Sequence, residues 1–501
     1  MRARALTTTR VAVFAVAACL LAAVWASSAS AVPKLTVDAP RPYQVLQRGP
    51  AGTADITVRG SAVGLGPRVQ VRWGAGLWRT APVAADGSFR VVLRRQPAGQ
   101  GTLTVRSQTV PSSARSVRYV GVGDVYVVAG QSNASGRGAL DTRYENLVLR
   151  AGLFGNDDRW KELRDPTDSP VRQVDDVSRD KPARGSVWPL VATGLMAAEP
   201  VPVAFVPCAL GTTSIYAWLP DPIRPFSRAT LYGSMVRRAR AVGGVRAVLF
   251  WQGEADARAQ VSQAAYGEAL SELAARVQAD LGVPLVAAQI GDYDMRYTAA
   301  GVNGIRLAQE DVWRQGAAFA GPVLYDIDLH GRVHFTQPSE LREAAHRWAA
   351  AVLSCLGRLD VPVGPRLTAA SYDGWLTVSL TFAVPGGELR PGPAAGITLE
   401  VPGGDPVGFQ YAAVTGPSTV SVYLFSPVTE PLQVSLGSGR DAAGKAVPVE
   451  ASAWELPALP FVAVSVTDQR PPASREADGP HAALAFASAL PRRWRLLGTL
   501  R

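Results

Sequence analysis

Ser132 sits in the segment Gly130-Gln131-Ser132-Asn133-Ala134-Ser135-Gly136, directly after the apolar run 124–129. A strand that empties into small polar residues exposes one hydroxyl and several backbone N–H groups at its end, which is what a nucleophilic serine requires. The same pattern also serves turns and helix caps. Chemistry at Ser132 therefore depends on what else gathers there. The chain has four histidines, His330, His334, His346 and His481. His346 falls in a helical stretch and His481 in the tail, which leaves His330 and His334 at a strand end. A serine nucleophile needs a nitrogen base at about 2.6 to 3.2 Å, itself held by an acid or another acceptor. His334 is the candidate base and His330 the reserve. Read as a metal pair, these two histidines lack a third histidine or cysteine nearby, so no metal or organic cofactor is expected.

The elements that must position these groups follow from the texture of residues 121–357. Strand-like apolar runs at 124–129, 201–207, 246–254, 283–290 and 322–329 alternate with helix-length segments at 186–198, 228–242, 257–279, 303–315 and 338–353. Apolar strands alternating with helices of this length predict an α/β fold with a mostly parallel sheet covered on both faces. Ligands in such folds bind beyond the carboxyl ends of the strands. Those ends read Gly130-Gln131-Ser132-Asn133, then Gly211-Thr212-Thr213-Ser214, Trp251-Gln252-Gly253-Glu254-Ala255-Asp256, Gly291-Asp292, and Asp326 to His334. Polar and glycine-rich residues thus collect on one edge of the sheet. The polar stretch 144–185 is expected to be a surface insertion beside it.

On either side the pattern changes to short alternating strands broken by turns. Residues 32–120 predict an N-terminal β-sandwich-like domain, with Asp86-Gly87 as a hairpin signal, and residues 358–468 predict a second one. Residues 469–501 read as linker and tail, with a short amphipathic helix over 482–500. Tyr43, Trp73 and Trp78 in the first β domain, and Trp160, Trp188 and Trp218 in the α/β domain, are candidates for stacking on sugar or for core packing.

Arg2, Arg4 and Arg10 precede the apolar run 11–26 and the small-residue motif Ala29-Ser30-Ala31. This layout predicts a signal peptide over 1–31, a mature chain starting at Val32, and a secreted or extracytoplasmic protein with no membrane span after cleavage. The formal charge of +10 falls to +7 without the three leader arginines. The basic residues are scattered among apolar strands, with no basic tract and no recognition motif, which argues against nucleic acid and leaves mild attraction to anionic polysaccharide or cell-surface polymer. Cys208 and Cys355 remain in the mature chain, in apolar surroundings that suit buried thiols or a bridge.

Together, GQSNASG, ALGTTSIYAW, WQGEAD and VHFT resemble SGNH-type hydrolases of the sialate O-acetylesterase and acetyl-xylan esterase kind. The flanking segments YQVLQRGP and SLGSGRDAAGKAVPVEASAWELPALPF are similar to that family too, so the resemblance spans residues 38–463. It implies a three-layer α/β/α domain that removes acetyl groups from saccharides through an acyl-enzyme. It also implies Ser132 as nucleophile, His334 as base, and an oxyanion hole formed by the N–H groups of Ser132 and Gly211 with the Gln252 amide. Glu254 then braces the site or its substrate. Losing one oxyanion donor typically costs about 3 kcal/mol in the transition state.

One position departs from the family. Where many members carry an aspartate three residues before the histidine, this chain has Gly331. The expected orienter of His334 is Asp328, with Glu254 or a backbone carbonyl as alternatives. Three other readings stay open on the sequence. One is a carbohydrate-binding or adhesive protein that has kept the fold without catalysis. Another is a glycosidase using carboxylates such as Glu254 and Asp292. The third is a purely structural surface protein.

Overall fold

The computed structural model describes residues 32–139, 149–175, 184–293, 296–360, 363–403, 406–440 and 442–470. The expected leader, the tail helix and part of the 144–185 stretch lie outside them. Among the described residues no helix is long and apolar enough to cross a membrane. The chain divides into two compact units, one formed by residues up to Gln44 with Arg48–Val122, the other by Val45–Gln47 with the chain from Gly123 onward.

The first unit is all β. Strands β1 (Lys34–Ala39), β3 (Thr53–Val63) and β6 (Ser88–Pro97) form one sheet, in the order β1-β3-β6. In the other sheet β4 (Arg68–Trp73) pairs with β5 (Arg79–Pro82) and β7 (Gly99–Ser107), and β7 pairs with the first half of β8 (Ala114–Gly130). Alternation sends Ile56, Val58, Val69, Val71, Leu103 and Val105 inward, as a half-buried sheet requires. Strand β2 (Val45–Gln47) belongs to the second unit.

The second half of β8 is the centre of the second unit's main sheet. Around it lie β9 (Gly152–Phe154), β10 (Trp160–Glu162), β11 (Val203–Pro207), β12 (Ala247–Trp251), β13 (Leu285–Ala287) and β14 (Phe319–Ala320), in the order β10-β9-β11-β8-β12-β13-β14. All neighbours are parallel except β10 on β9. Val125, Val127 and Ala129 face one helical layer, while Tyr126 and Val128 face the other. The sequence of β8 is apolar without alternation because both its faces are covered. The one-turn helix α1 (Ser132–Ser135) follows β8 directly. Helices α2 (Trp188–Ala198) and α7 (Pro338–Cys355) cover one face. Helices α3 (Leu231–Ala241), α5 (Gln263–Leu281) and α6 (Ala299–Arg314) cover the other, and the short α4 (Glu254–Arg258) follows β12.

Local chemistry explains the helices. In α5 the Ser262 hydroxyl accepts the N–H of Ala265 at 3.2 Å, Gly282 closes the helix in the left-handed region, and Tyr266, Leu270, Leu273 and Val277 form the buried stripe. Capping and amphipathic spacing specify such a helix from both ends and along its length. Two expectations need correction. The run 322–329 is not a strand, since the fifth expected strand is the two-residue β14, and the residues after it turn repeatedly. The stretch 144–185 does more than decorate the surface. It supplies β9 and β10 to the sheet, and its buried Asp175 accepts from Ser234, Arg228 and Arg237.

A second β region completes the second unit. One sheet runs in the order β19-β20-β16-β15-β23, using β15 (Arg366–Tyr372), β16 (Thr377–Ala383), β19 (Phe409–Gly416), β20 (Thr419–Leu424) and β23 (Thr467–Asp468). The other runs β18-β17-β21-β22, using β17 (Ile397–Glu400), β18 (Pro406–Val407), β21 (Gln433–Leu436) and β22 (Phe461–Ser465). Their shared core includes Val378, Leu380, Val422 and Val434. This sandwich is locked onto the α/β layers. Arg306 on α6, fully buried, donates to the carbonyls of Gly437 at 3.0 Å and Gly439 at 2.9 Å, and to those of Ile290 and Gly291. Arg440 grips the buried Asp292 carboxylate at 2.9 and 3.0 Å.

Candidate active site

Ser132 opens α1 at the carboxyl end of the central strand, beside the point where β11 and β12 depart to opposite sides of β8. This switch point is where open α/β sheets form their crevices. Gly130 makes the exit possible. It has φ +122°, and a Cβ there would lie 2.0 Å from the Trp251 carbonyl oxygen. At N1 of a helix an N–H has no acceptor within the helix, which leaves that of Ser132 free to face a ligand.

His334 Nε2 lies 2.9 Å from Ser132 Oγ. The loop that carries His334 is fixed from two sides. Asn133, next to the serine, donates from Nδ2 to the Val333 carbonyl at 3.0 Å and accepts the Phe335 N–H on Oδ1 at 3.3 Å, so it grips the peptides on both sides of the histidine. Glu340, in the capping box of α7, accepts the N–H groups of Thr336 at 2.7 Å and Gln337 at 2.9 Å and pairs with Arg332. Phe335 packs edge-on against Trp251, with ring centroids 5.1 Å apart.

Glu254 stands behind Asn133, with its Oε1 accepting the other Asn133 Nδ2 proton at 2.7 Å. Glu254 is 2% exposed, and its Oε2 has no hydrogen-bond partner among the described residues. Burial pushes its pKa up to about 7, against the pull of the Asn133 hydrogen bond and with the Asp256 charge adding to the rise. The backbone at Gly253 permits this placement, because at φ +142° a Cβ would press to 2.8 Å on both Ile290 and Ile305. Glu254 thus braces the site through Asn133.

Gln252 departs from its expected role. Its amide nitrogen donates to the Thr213 carbonyl at 2.8 Å and to Asp256 Oδ2, while its Oε1 accepts the Tyr266 hydroxyl at 3.0 Å. Fully buried and with both amide protons engaged, it has none to offer an oxyanion. Its partners instead fix the turn that carries Gly211. Asp256 accepts from the Ser214 hydroxyl at 2.5 Å and the Ile215 N–H at 3.0 Å, and the Leu210 N–H bonds the Gly130 carbonyl at 2.9 Å.

The expected pairing of Asp328 with His334 is also corrected. Asp328 Oδ2 lies 3.1 Å from His330 Nδ1, and its Oδ1 accepts the His330 N–H at 2.6 Å. The turn at 329–332 directs that carboxylate back onto the exposed His330. The fourth strand end contributes Asp292, held by Arg440 and by the Leu329 N–H at 3.4 Å. Cys208 and Cys355 are both free thiols. Trp188 and Trp218 are core residues, and Trp160 packs on Phe154 with centroids 5.4 Å apart. The sequence reading missed Asn133 and Asp256 as positioning groups, although both belong to the GQSN and WQGEAD blocks it singled out.

Residues 122–354 match the family model described as carbohydrate esterase, sialic acid-specific acetylesterase. The matched segment holds Ser132, Asn133, Gly211, Gln252, Glu254, Asp256 and His334. A probable carbohydrate esterase of Arabidopsis thaliana is 27% identical over 184 residues, which make up 32% of this chain and 65% of that protein. A carbohydrate acetylesterase structure from Xanthomonas citri aligns over 86% of this chain and 99% of its own length, with a TM-score of 0.54 and 22% identity. That second likeness is one of fold, and it extends beyond the α/β layers.

Proposed function

We propose that this protein is a secreted serine esterase that removes O-acetyl groups from carbohydrate by two-step acyl transfer. The observation that carries the reading is the 2.9 Å approach of His334 Nε2 to Ser132 Oγ at the carboxyl end of the central strand. His334 takes the Ser132 proton as Oγ attacks the acetyl carbonyl. The oxyanion rests on the N–H groups of Ser132 and Gly211, and the sugar hydroxyl leaves with the proton from His334. Water, deprotonated by His334, then attacks the acetyl-serine and releases acetate. Gln252 acts one step removed, by fixing the Gly211 turn. No residue in this sequence of steps calls for a metal or organic cofactor.

Support for the carbohydrate substrate comes from the family match over 122–354. Export rests on the leader pattern of residues 1–31, and N-terminal sequencing of protein from culture medium should begin at Val32. The deciding experiment measures acetate release from a panel of acetylated saccharides by wild type and Ser132→Ala. Release lost in the variant is the expected result. A variant that keeps its rate overturns the serine mechanism, and release of reducing sugar without acetate by both proteins overturns it in favour of the carboxylate glycosidase reading. Sugar binding without acetate release by wild type overturns it in favour of the non-catalytic one.

A further inference from the structure

The first unit carries a charge quite unlike the rest of the chain. Residues 33–122 hold thirteen Lys and Arg against three Asp and no Glu. The three acids lie away from the sheet that contains β4 and β7. Asp38 is on β1, Asp55 on β3 pairs with Arg94, and Asp86 in the turn before β6 accepts the Ser88 N–H. The outer face of that sheet is therefore a concentration of cations with no carboxylate among them.

Its centre is specific. Val69 and Val71 of β4 and Leu103 and Val105 of β7 point inward, so Arg68, Gln70 and Arg72, with Thr104 and Arg106, face out. The Arg72 and Arg106 guanidinium carbons lie 4.6 and 4.1 Å from the ring centroid of Trp78. Arg106 Nε also donates to Gln70 Oε1 at 2.9 Å. One indole thus gathers two guanidiniums into a preset pair, and cation–π attraction offsets part of their mutual repulsion. Arg72 has no ion-pair partner among the described residues. Two guanidiniums held on one indole each present a fork suited to carboxylate. Thr104, Gln70 and the exposed Ser116, directly opposite Thr104 on β8, add hydroxyl and amide partners.

We propose that this face binds a carboxylate-bearing polysaccharide, so that the first unit anchors the protein on an anionic glycan. A glycan fits better than nucleic acid because guanidiniums already cover the Trp78 ring, leaving it a poor platform for stacked bases. The unit also has no amphipathic helix to enter a lipid interface.

The test uses the full-length mature protein with Ser132→Ala, so that binding is read without turnover. Binding to polygalacturonate, to neutral xylan and to single-stranded DNA is compared for this protein, for added Arg72→Gln/Arg106→Gln, and for added Arg59→Gln/Arg90→Gln. The last pair sits on the other sheet, opposite each other across β3 and β6. Expected is binding to polygalacturonate and not to xylan, weakened about tenfold or more between roughly 0.05 and 0.3 M salt. The Arg72/Arg106 variant should lose about tenfold in affinity and the Arg59/Arg90 variant less than about twofold. Equal loss in both variants overturns the platform in favour of bulk charge. Binding to xylan as tight as to polygalacturonate, or tighter binding to DNA, overturns the choice of glycan. Activity of the Arg72/Arg106 pair on a small acetyl ester, in the Ser132 background, should match wild type. This separates failure of the anchor from failure of the esterase reading.

Discussion

Asn133 holds the peptides on both sides of His334 while its own amide is held by Glu254 at 2.7 Å. The residue beside Ser132 therefore places His334. Asn133→Ala would release the histidine loop and leave a carbonyl, an N–H and a carboxyl oxygen without their partner. A displacement of about 1 Å at a reacting group can cost about a hundredfold in rate. The expected result is a fall of that order in kcat on a small acetyl ester with KM within about threefold of wild type. A normal kcat would show that the loop holds without Asn133.

Gln252 and Ser214 both serve Asp256, and through it the turn of Gly211. Gln252→Ala leaves a fully buried carboxylate short of a donor, and such losses cost roughly 1–3 kcal/mol or more. Thermal unfolding should shift down by several degrees, and activity should fall. Ser214→Ala should lower activity to a similar degree, because it loosens the same turn. If Gln252→Ala costs a hundredfold more than Ser214→Ala at equal stability, the amide touches the oxyanion after all.

Asp328 turns toward His330, and the His330 side chain is 67% exposed. Asp328→Asn should therefore leave kcat/KM within about threefold of wild type, as expected of a surface contact. A loss beyond a hundredfold in steady-state assays would return Asp328 to the catalytic machinery.

Glu254 makes stability depend on pH. Its pKa is raised from 4.5 to about 7, so between those values the folded protein holds a proton that the unfolded chain has released. Stability is then greatest at the acid end of that window, falls as pH rises through it, and levels off above 7. A shift of that size corresponds to roughly 3 kcal/mol. Urea unfolding midpoints of Glu254→Gln should lack this slope, because the amide keeps an acceptor for Asn133 and carries no titrating proton. An unchanged slope would place the titration elsewhere.

The alternation of apolar runs with helical stretches was legible because each residue there answers to a local rule. In α5 period and capping agree with burial, and the unbroken apolar run of β8 agrees with a strand covered on both faces. The approach of His334 to Ser132 was legible because histidine is scarce and only two lie at a strand end. What escaped was set by the paths of loops and turns. No spacing rule announces that the Gln252 amide points at Asp256 and Thr213, or that Asp328 folds back two residues onto His330. The run 322–329 reads as a strand by composition. Its apolar residues are buried by turns instead, with Tyr325 bonded to the Ala458 carbonyl at 2.7 Å. The polar stretch 144–185 hides its two strands because three-residue strands leave no period to detect.

Arg306 and Arg440 give the C-terminal sandwich a consequence for modularity. A cut near residue 357 looks like a clean boundary in the sequence. It would leave a buried guanidinium facing lost carbonyls, and the Asp292 carboxylate without its cation, a few residues from the histidine loop. Breaking a buried pair from one side costs about 3–5 kcal/mol, a large part of the stability of any domain. The α/β layers and the sandwich are thus expected to be inherited, expressed and melted together, as a single calorimetric transition. The chain cannot trade its C-terminal sandwich for another module without rebuilding the support of Asp292 and of the Leu329 turn that rests on it.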